Sequence, residues 1–387
     1  MPHPAPLTRQ LIATAALLAW GVVPGDLASG MPARVREALR NDQPGQADYE
    51  RMERGYYELV LDAGRSLDAL SSGTKPGAGE RKGWTHLETA PFEAGPLALV
   101  VDDLREFVLK PNLRFEHDGA TWSTNAQGMR DRDYPAAKPS GTFRIALVGD
   151  SIGSGWGVND GDGFEPRLER ALDQRSRGAG GPAVEVLNFS VPGHGPGQRW
   201  EHFTRVGWAM GPDLVLFEST AADPGWDERR LRGLLPRGIG WDSPLYRDIL
   251  AEARVRPGGT CATYKAALGP FRWDFLAASD RAVVAGCRSR GVPCVLVVVP
   301  RVGKPADPAE RRRRIALARA AGFTMVADLS DAYDGLDPNE LAIGPRDYHP
   351  NAAGHARLAA RLDAALSALA PLRGLWARMN REEAAPQ

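Results

Sequence analysis

"RIALVGDSIGSGWGV" occupies residues 144–158, and its reading decides the fold. An apolar run ends at Gly149-Asp150-Ser151, and three more glycines follow at 153, 155 and 157. Apolar strands without polar alternation belong to parallel sheets covered on both faces. The loop after such a strand lies at the carboxyl edge of the sheet, where open α/β folds collect their ligands. Two chemistries use that edge: a glycine loop that cradles phosphate, or a strand end that presents a serine nucleophile. A P-loop needs G-x-x-x-x-G-K-[ST], because a lysine must reach the terminal phosphates. Here the sixth position from Gly149 is Ser154 and no lysine is near. A dinucleotide loop needs G-x-G-x-x-G, but Val158 occupies the third glycine place after Gly153 and Gly155. Ser151 is left as the chemically informative residue.

Outward from this stretch, short apolar runs alternate with helical spacing. The pattern predicts strands at 143–149, 184–189, 213–219, 293–300 and 323–329. Helices are expected near 163–176, 198–210, 273–290, 308–321 and 351–370. Strand–helix alternation predicts an α/β fold with a parallel sheet covered on both faces. Upstream, "NLRFEH" and "ATWSTN" flank Asp118-Gly119 and read as a β-hairpin. Residues 31–80 begin helix-leaning and dissolve into the linker-like "SSGTKPGAGERKG". Residues 224–272 form an insertion directly after the third strand of the sheet.

The chain has 387 residues, 43% hydrophobic and 25% charged, which affords an ordinary globular core. Basic and acidic residues balance at 48 each, so no global charge argues for a nucleic-acid partner. Cys261, Cys287 and Cys294 have no metal-ligand spacing, and no His/Asp/Glu cluster suggests a metal; no cofactor is expected. Residues 11–23, "LIATAALLAWGVV", have the length of a signal-peptide core and fall short of a membrane span. Residues 1–30 are therefore expected to be a signal peptide or membrane anchor. The chain is expected to be exported, to the periplasm or beyond, with membrane attachment through the N-terminus as the alternative.

A serine nucleophile needs a base in hydrogen-bond reach, and the base needs an orienting carboxylate. "PRDYHPNAAGHARLA", residues 345–359, offers both. Asp347 and His349 are two apart, and in extended chain they point the same way. These blocks resemble those of the SGNH (GDSL-like) hydrolases: G-D-S at 149–151, and D-x-H-P at 347–350. The resemblance covers residues 141–370. It implies a flavodoxin-like three-layer α/β sandwich; outside it, residues 31–140 read as a small N-terminal helical and β-hairpin region and 371–387 as a tail. It further implies Ser151 as nucleophile, His349 as base and Asp347 as its partner. The Ser151 and Gly193 amides would form the oxyanion hole, Gly193 lying in "LNFSVPGHGPGQ".

The family's oxyanion asparagine falls on Ala222. Its absence leaves three alternatives. Ser219, Thr220 or His194 supplies the donor; the enzyme is slow or tuned to an unusual acceptor; or the site binds without turnover. The resemblance implies a serine esterase acting on an ester; the expected export and the aromatics of the insertion point to a small-molecule or carbohydrate ester, O-acetyl groups included. An acyltransferase on an extracellular glycan and a catalytically inactive binding module are the alternatives. His194, Ser219, Thr220, Asp223 and Trp226 are candidate substrate contacts. Trp226, Trp241, Tyr246 and Arg237 of the insertion either line an acyl or sugar pocket or belong to a lid with its own core.

Overall fold

The computed structural model describes residues 97–117, 119–344 and 347–369. The expected leader at 1–30, the helix-leaning stretch and linker at 31–80, and the tail at 371–387 lie outside the described residues.

Five strands form one parallel sheet: β5 (Thr142–Val148), β6 (Ala183–Asn188), β7 (Leu214–Ser219), β8 (Cys294–Val298) and β9 (Met325–Asp328). Their order is β6-β5-β7-β8-β9 and every neighbouring pair is parallel. The order reverses around β5, so the crevice at its carboxyl end is the topological switch point. Gly149-Asp150-Ser151 begins there, one residue past the strand. The sequence-predicted strands agree with these bounds to within about two residues, inside the usual boundary error.

Alternation of side chains along each strand builds the two outer layers. Ile145, Leu147, Leu214, Leu216, Val295 and Val297 face α1 (Phe164–Gly178) and α9 (Ala352–Leu366). Ala146, Val148, Val215, Phe217, Leu296 and Val298 face α2 (Pro196–Val206), α6 (Arg272–Arg288) and α7 (Pro308–Ala321). Each fully buried aliphatic contributes about 1.5–3 kcal/mol, so the strands are held by both faces. The N-terminus of α9 is capped by Asn351, whose side chain accepts from the Ala353 and Gly354 amides. That cap fixes the chain two residues after His349.

Before the sheet come two antiparallel pairs, β1 (Ala98–Val100) with β2 (Phe107–Leu109), and β3 (Arg114–His117) with β4 (Ala120–Ser123). The second is the predicted hairpin, with Phe115 opposite Trp122. Trp122 meets Trp156 edge-on at 6.3 Å, which seats the hairpin on the glycine loop after Ser151. Arg130 completes the seat. Its Nη1 donates to the carbonyls of Ser154 and Gly155, and its Nη2 to that of Val158. The loop therefore cradles a guanidinium with carbonyls. Gly155 has φ +69°, and a Cβ there would lie 2.3 Å from Arg130 Nη1. Gly155→Ala combines a left-handed residue, costing about 1–2 kcal/mol, with displacement of a buried arginine. Urea unfolding should show a loss of about 2 kcal/mol or more.

Asp131 and Tyr134 tie the same segment to the edge strand β6. The Asn188 amide donates to Asp131 Oδ2, and Tyr134 Oη donates to the Val186 carbonyl. Burial, and then the charge of Glu169, push the Asp131 carboxyl from 3.8 up to about 8. The folded state therefore holds a proton between about pH 4 and 8 that the unfolded chain releases, and stability falls as pH rises through that window. Asp131→Asn mimics the protonated form. Thermal melts at pH 5, 7 and 9 should decline less steeply in this variant than in the wild type; an equal decline would contradict the assignment.

The insertion after β7 contains α3 (Asp223–Leu234), a short 3-10 turn, α4 (Arg247–Glu252) and α5 (Cys261–Leu268). It has its own core of Leu231, Leu234, Leu235, Tyr246, Tyr264 and Leu268, packed on Phe275 of α6. Trp241 packs against this cluster and donates its indole N–H to the Leu235 carbonyl. Trp241 and Tyr246 thus belong to a lid core, the second of the two alternatives. Arg237 pairs with Asp102 and Glu106 of the β1–β2 connection.

Candidate active site

Ser151 stands in a run of turns. The Ser154 amide donates to the Asp150 carbonyl, and the Trp156 amide to that of Ser151. The next helix starts only at Phe164, so Ser151 is no helix cap. His349 Nε2 lies 2.8 Å from Ser151 Oγ, and His349 Nδ1 lies 2.6 Å from Asp347 Oδ1. The Asp347 oxygen also accepts the His349 amide at 2.8 Å, which closes the two-residue spacing into a tight turn. Ser151 is 5% exposed and His349 1%. Burial would raise the Asp347 carboxyl, but hydrogen bonds from the His349 ring and backbone outweigh it and hold the group below its usual value. Asp347 is thereby kept ionised, able to orient the imidazole and to stabilise an imidazolium.

Two backbone N–H groups complete the arrangement. Among the described residues, neither the Ser151 amide nor the Gly193 amide donates to another protein group. Gly193 sits third in the turn Val191-Pro192-Gly193-His194, closed by the His194 amide on the Val191 carbonyl. Its φ of +84° after a proline is the requirement of a type II turn, which leaves its N–H outside the turn's own hydrogen bond.

Beside Ser151 lies a buried ionic network that sequence reasoning missed. Arg199 of α2 is fully buried and uses every donor it has. Nε donates to the His194 carbonyl, and Nη1 to the Glu218 carbonyl and Asp223 Oδ2. Nη2 donates to Asp150 Oδ2 and Asp223 Oδ1. One side chain thus ties the G-D-S turn, the glycine turn, the end of β7 and the start of α3 together. Glu218, the next-to-last residue of β7, accepts the Asp150 amide at 3.2 Å. Burial, reinforced by the Asp150 charge, pushes its carboxyl well above the usual range and favours the neutral acid. A Cβ at Gly149 or Gly153 would collide with this carboxyl, so both positions admit it by lacking one.

The remaining sequence candidates have internal partners. Asp223 is paired with Arg199. Ser219 is fully buried and accepts from Arg314, itself paired with Asp280. Thr220 donates its hydroxyl to Asp223 and accepts the Ala222 amide. His194 is fully buried, and burial, with His202 next, drives its pKa well down. The neutral ring must donate from Nε2 to the Phe107 carbonyl at 2.9 Å, which leaves Nδ1 without a proton. Thr220 and His194 therefore have no hydrogen ready to give at the rim, and Ser219 is fully buried against Arg314. Trp226 is buried on α3, with the guanidinium carbons of Arg229 and Arg230 at 4.9 and 5.3 Å from its ring. On the other side Tyr348 stacks on His349 at 4.4 Å, under Arg301 and Lys304.

No family model matches the chain, and no curated protein matches it. Solved structures do. TesA is similar over 59% of this chain and 99% of its own, at 17% identity and a TM-score of 0.38. A lipolytic-class protein of the G-D-S-L family from Desulfitobacterium hafniense matches over 57% of this chain and 98% of its own, at 13% and 0.33. A variant of Axe2, an acetyl-xylooligosaccharide esterase from Geobacillus Stearmophilus, matches over 57% and 92%, at 19% and 0.35. The structures this chain is similar to thus include esterases and a G-D-S-L protein, the class its two sequence blocks resemble. What the site can do rests on its own geometry.

Proposed function

We infer that the chain is an ester hydrolase of the SGNH (GDSL-like) type, with Ser151 as its nucleophile. The observation that carries this reading is the continuous hydrogen-bonded line from Ser151 Oγ through His349 to Asp347, at 2.8 and 2.6 Å. Ser151 Oγ attacks the ester carbonyl while His349 Nε2 takes its proton. The charge that develops on the carbonyl oxygen is met by the Ser151 and Gly193 amides, held in place before the reaction. The imidazolium, steadied by Asp347, returns the proton to the leaving alcohol. Water then repeats the sequence on the acyl-enzyme and restores Ser151.

Acyl esters of carbohydrate are the substrate class proposed, with acetylated oligosaccharides first. The experiment compares acetate release from p-nitrophenyl acetate and from acetylated xylooligosaccharides. Turnover of both supports the reading, and turnover of the aryl ester alone removes the carbohydrate part of it. Absence of any turnover in folded protein favours the binding module. Acyl transfer would show as acetylated sugar acceptor formed in preference to free acetate.

A further inference from the structure

Ala222 cannot supply a side-chain oxyanion donor, the Thr220 hydroxyl and the His194 ring are engaged elsewhere, and Ser219 is buried against Arg314. The helix that begins beside Ala222 offers another group. Ala222, Trp226 and Arg230 follow one another at spacings of four, so they share one face of α3. Long side chains on a helix lean back toward its N-terminus. The Arg230 guanidinium accordingly lies over the Trp226 ring, on the way back toward Ala222. It ends on the glycine turn: Nη2 donates to the Gly193 carbonyl at 2.6 Å and Nε at 3.2 Å. Its side chain is 12% exposed.

The guanidinium is held from behind as well. Glu106 reaches Arg230 at 3.5 Å and Arg237 at 3.6 Å. Glu106 adopts φ +64°, a left-handed conformation that a glutamate rarely takes and that surrounding contacts must sustain. Strain of this kind, spent on aiming a carboxylate at two arginines of the lid, marks the β1–β2 connection as a brace for Arg230. Phe107 beside it accepts from His194, so the brace grips both ends of the same turn.

We infer that Arg230 does the work of the absent asparagine: a positioning residue that locks the Gly193 turn with two hydrogen bonds and sets a fixed cation beside the oxyanion amides. The inference rests on the esterase reading above. Donors on the Gly193 carbonyl hold the peptide unit that follows Gly193 and so restrain the turn that carries its amide, and a positive charge at that spot is felt by an oxyanion as it forms. Ala222 then becomes intelligible as a small residue that clears the helix face along which the long side chain returns.

The test uses the full chain and p-nitrophenyl acetate. Arg230→Gln keeps a polar helix residue and removes the charge and the two-pronged grip. It is expected to lower kcat by about 10²–10³-fold, with kcat/KM falling equally, as for an interaction made in the transition state. Arg230→Lys, which keeps the charge, should fall between. Adding Ala222→Asn to Arg230→Gln restores a side-chain amide to the hole and should recover about tenfold or more, a small part of what one such donor contributes. In the wild-type background Ala222→Asn should bring no gain, since the asparagine intrudes on the helix face along which the Arg230 side chain returns. A wild-type kcat in Arg230→Gln would overturn the inference. So would a loss that Ala222→Asn leaves untouched, since Arg230 would then serve only the packing of the lid. Fluorophosphonate labelling of wild-type Ser151 separates the two levels. Labelled wild type with an indifferent Arg230→Gln defeats this inference alone. Wild type that neither labels nor turns over defeats the esterase reading and this inference with it.

Discussion

Alanine at Ser151 or at His349 is expected to lower ester turnover by about 10⁴–10⁶-fold, and the double variant should be no worse than either single one. The two side chains act as a unit: the base has nothing to activate without the hydroxyl, and the hydroxyl is a poor nucleophile without the base. A residual rate of about 10³–10⁴ over water should survive, supplied by the oxyanion amides and by substrate binding. The fold should be nearly indifferent to Ser151→Ala, because Ser151 Oγ has His349 as its hydrogen-bond partner and the substitution keeps Cβ. Steady-state kinetics on all three proteins, with thermal melts alongside, reads both statements. Additive losses in the double variant would mean that the two residues do not share one step.

Arg199→Met is expected to destabilise the protein by about 3–5 kcal/mol. The methionine fills much of the space but leaves the buried Asp150 and Asp223 carboxylates without the cation they share. Losing a partner is the costly half of a buried ion pair, and here one removal strands two carboxylates. Activity should go with stability, since Asp150 precedes Ser151 and its backbone is part of the same turn. A triple variant, Arg199→Met with Asp150→Asn and Asp223→Asn, removes the stranded charges. It should regain most of the lost stability in urea unfolding while remaining a poorer esterase. If Arg199→Met alone costs under about 1 kcal/mol, the range of an exposed pair, the network is not the tether described above.

How far the sequence discloses this molecule differs from element to element. The sheet is legible because strands buried on both faces must be apolar throughout, and the runs at 143–149 and 293–300 fit no other role. Ser151, Asp347 and His349 are legible because their chemistry demands one another and a two-residue spacing keeps a carboxylate near an imidazole, although a tight turn joins them where extended chain is expected. The arginines are not legible. Arg130, Arg199 and Arg230 act largely on main-chain carbonyls, which every residue possesses, and on carboxylates from distant elements, so neither spacing nor composition marks them. The lid aromatics are ambiguous for a different reason. Trp241 and Tyr246 suit a sugar-binding face and a small core equally well, and only packing decides. The glycines after Ser151 look like a phosphate cradle because closely approached backbone takes the same residues, whether amides meet an anion or carbonyls meet a guanidinium.

The central claim, that Ser151 is a nucleophile activated by His349, is tested most directly by covalent labelling. Wild-type protein is incubated with a fluorophosphonate at neutral pH and digested, and the modified peptide is sequenced by mass spectrometry. The account predicts one stoichiometric adduct on Ser151, absent from Ser151→Ala and strongly slowed in His349→Ala. An unlabelled Ser151 in folded wild-type protein, or an adduct that forms at the same rate without His349, would contradict it.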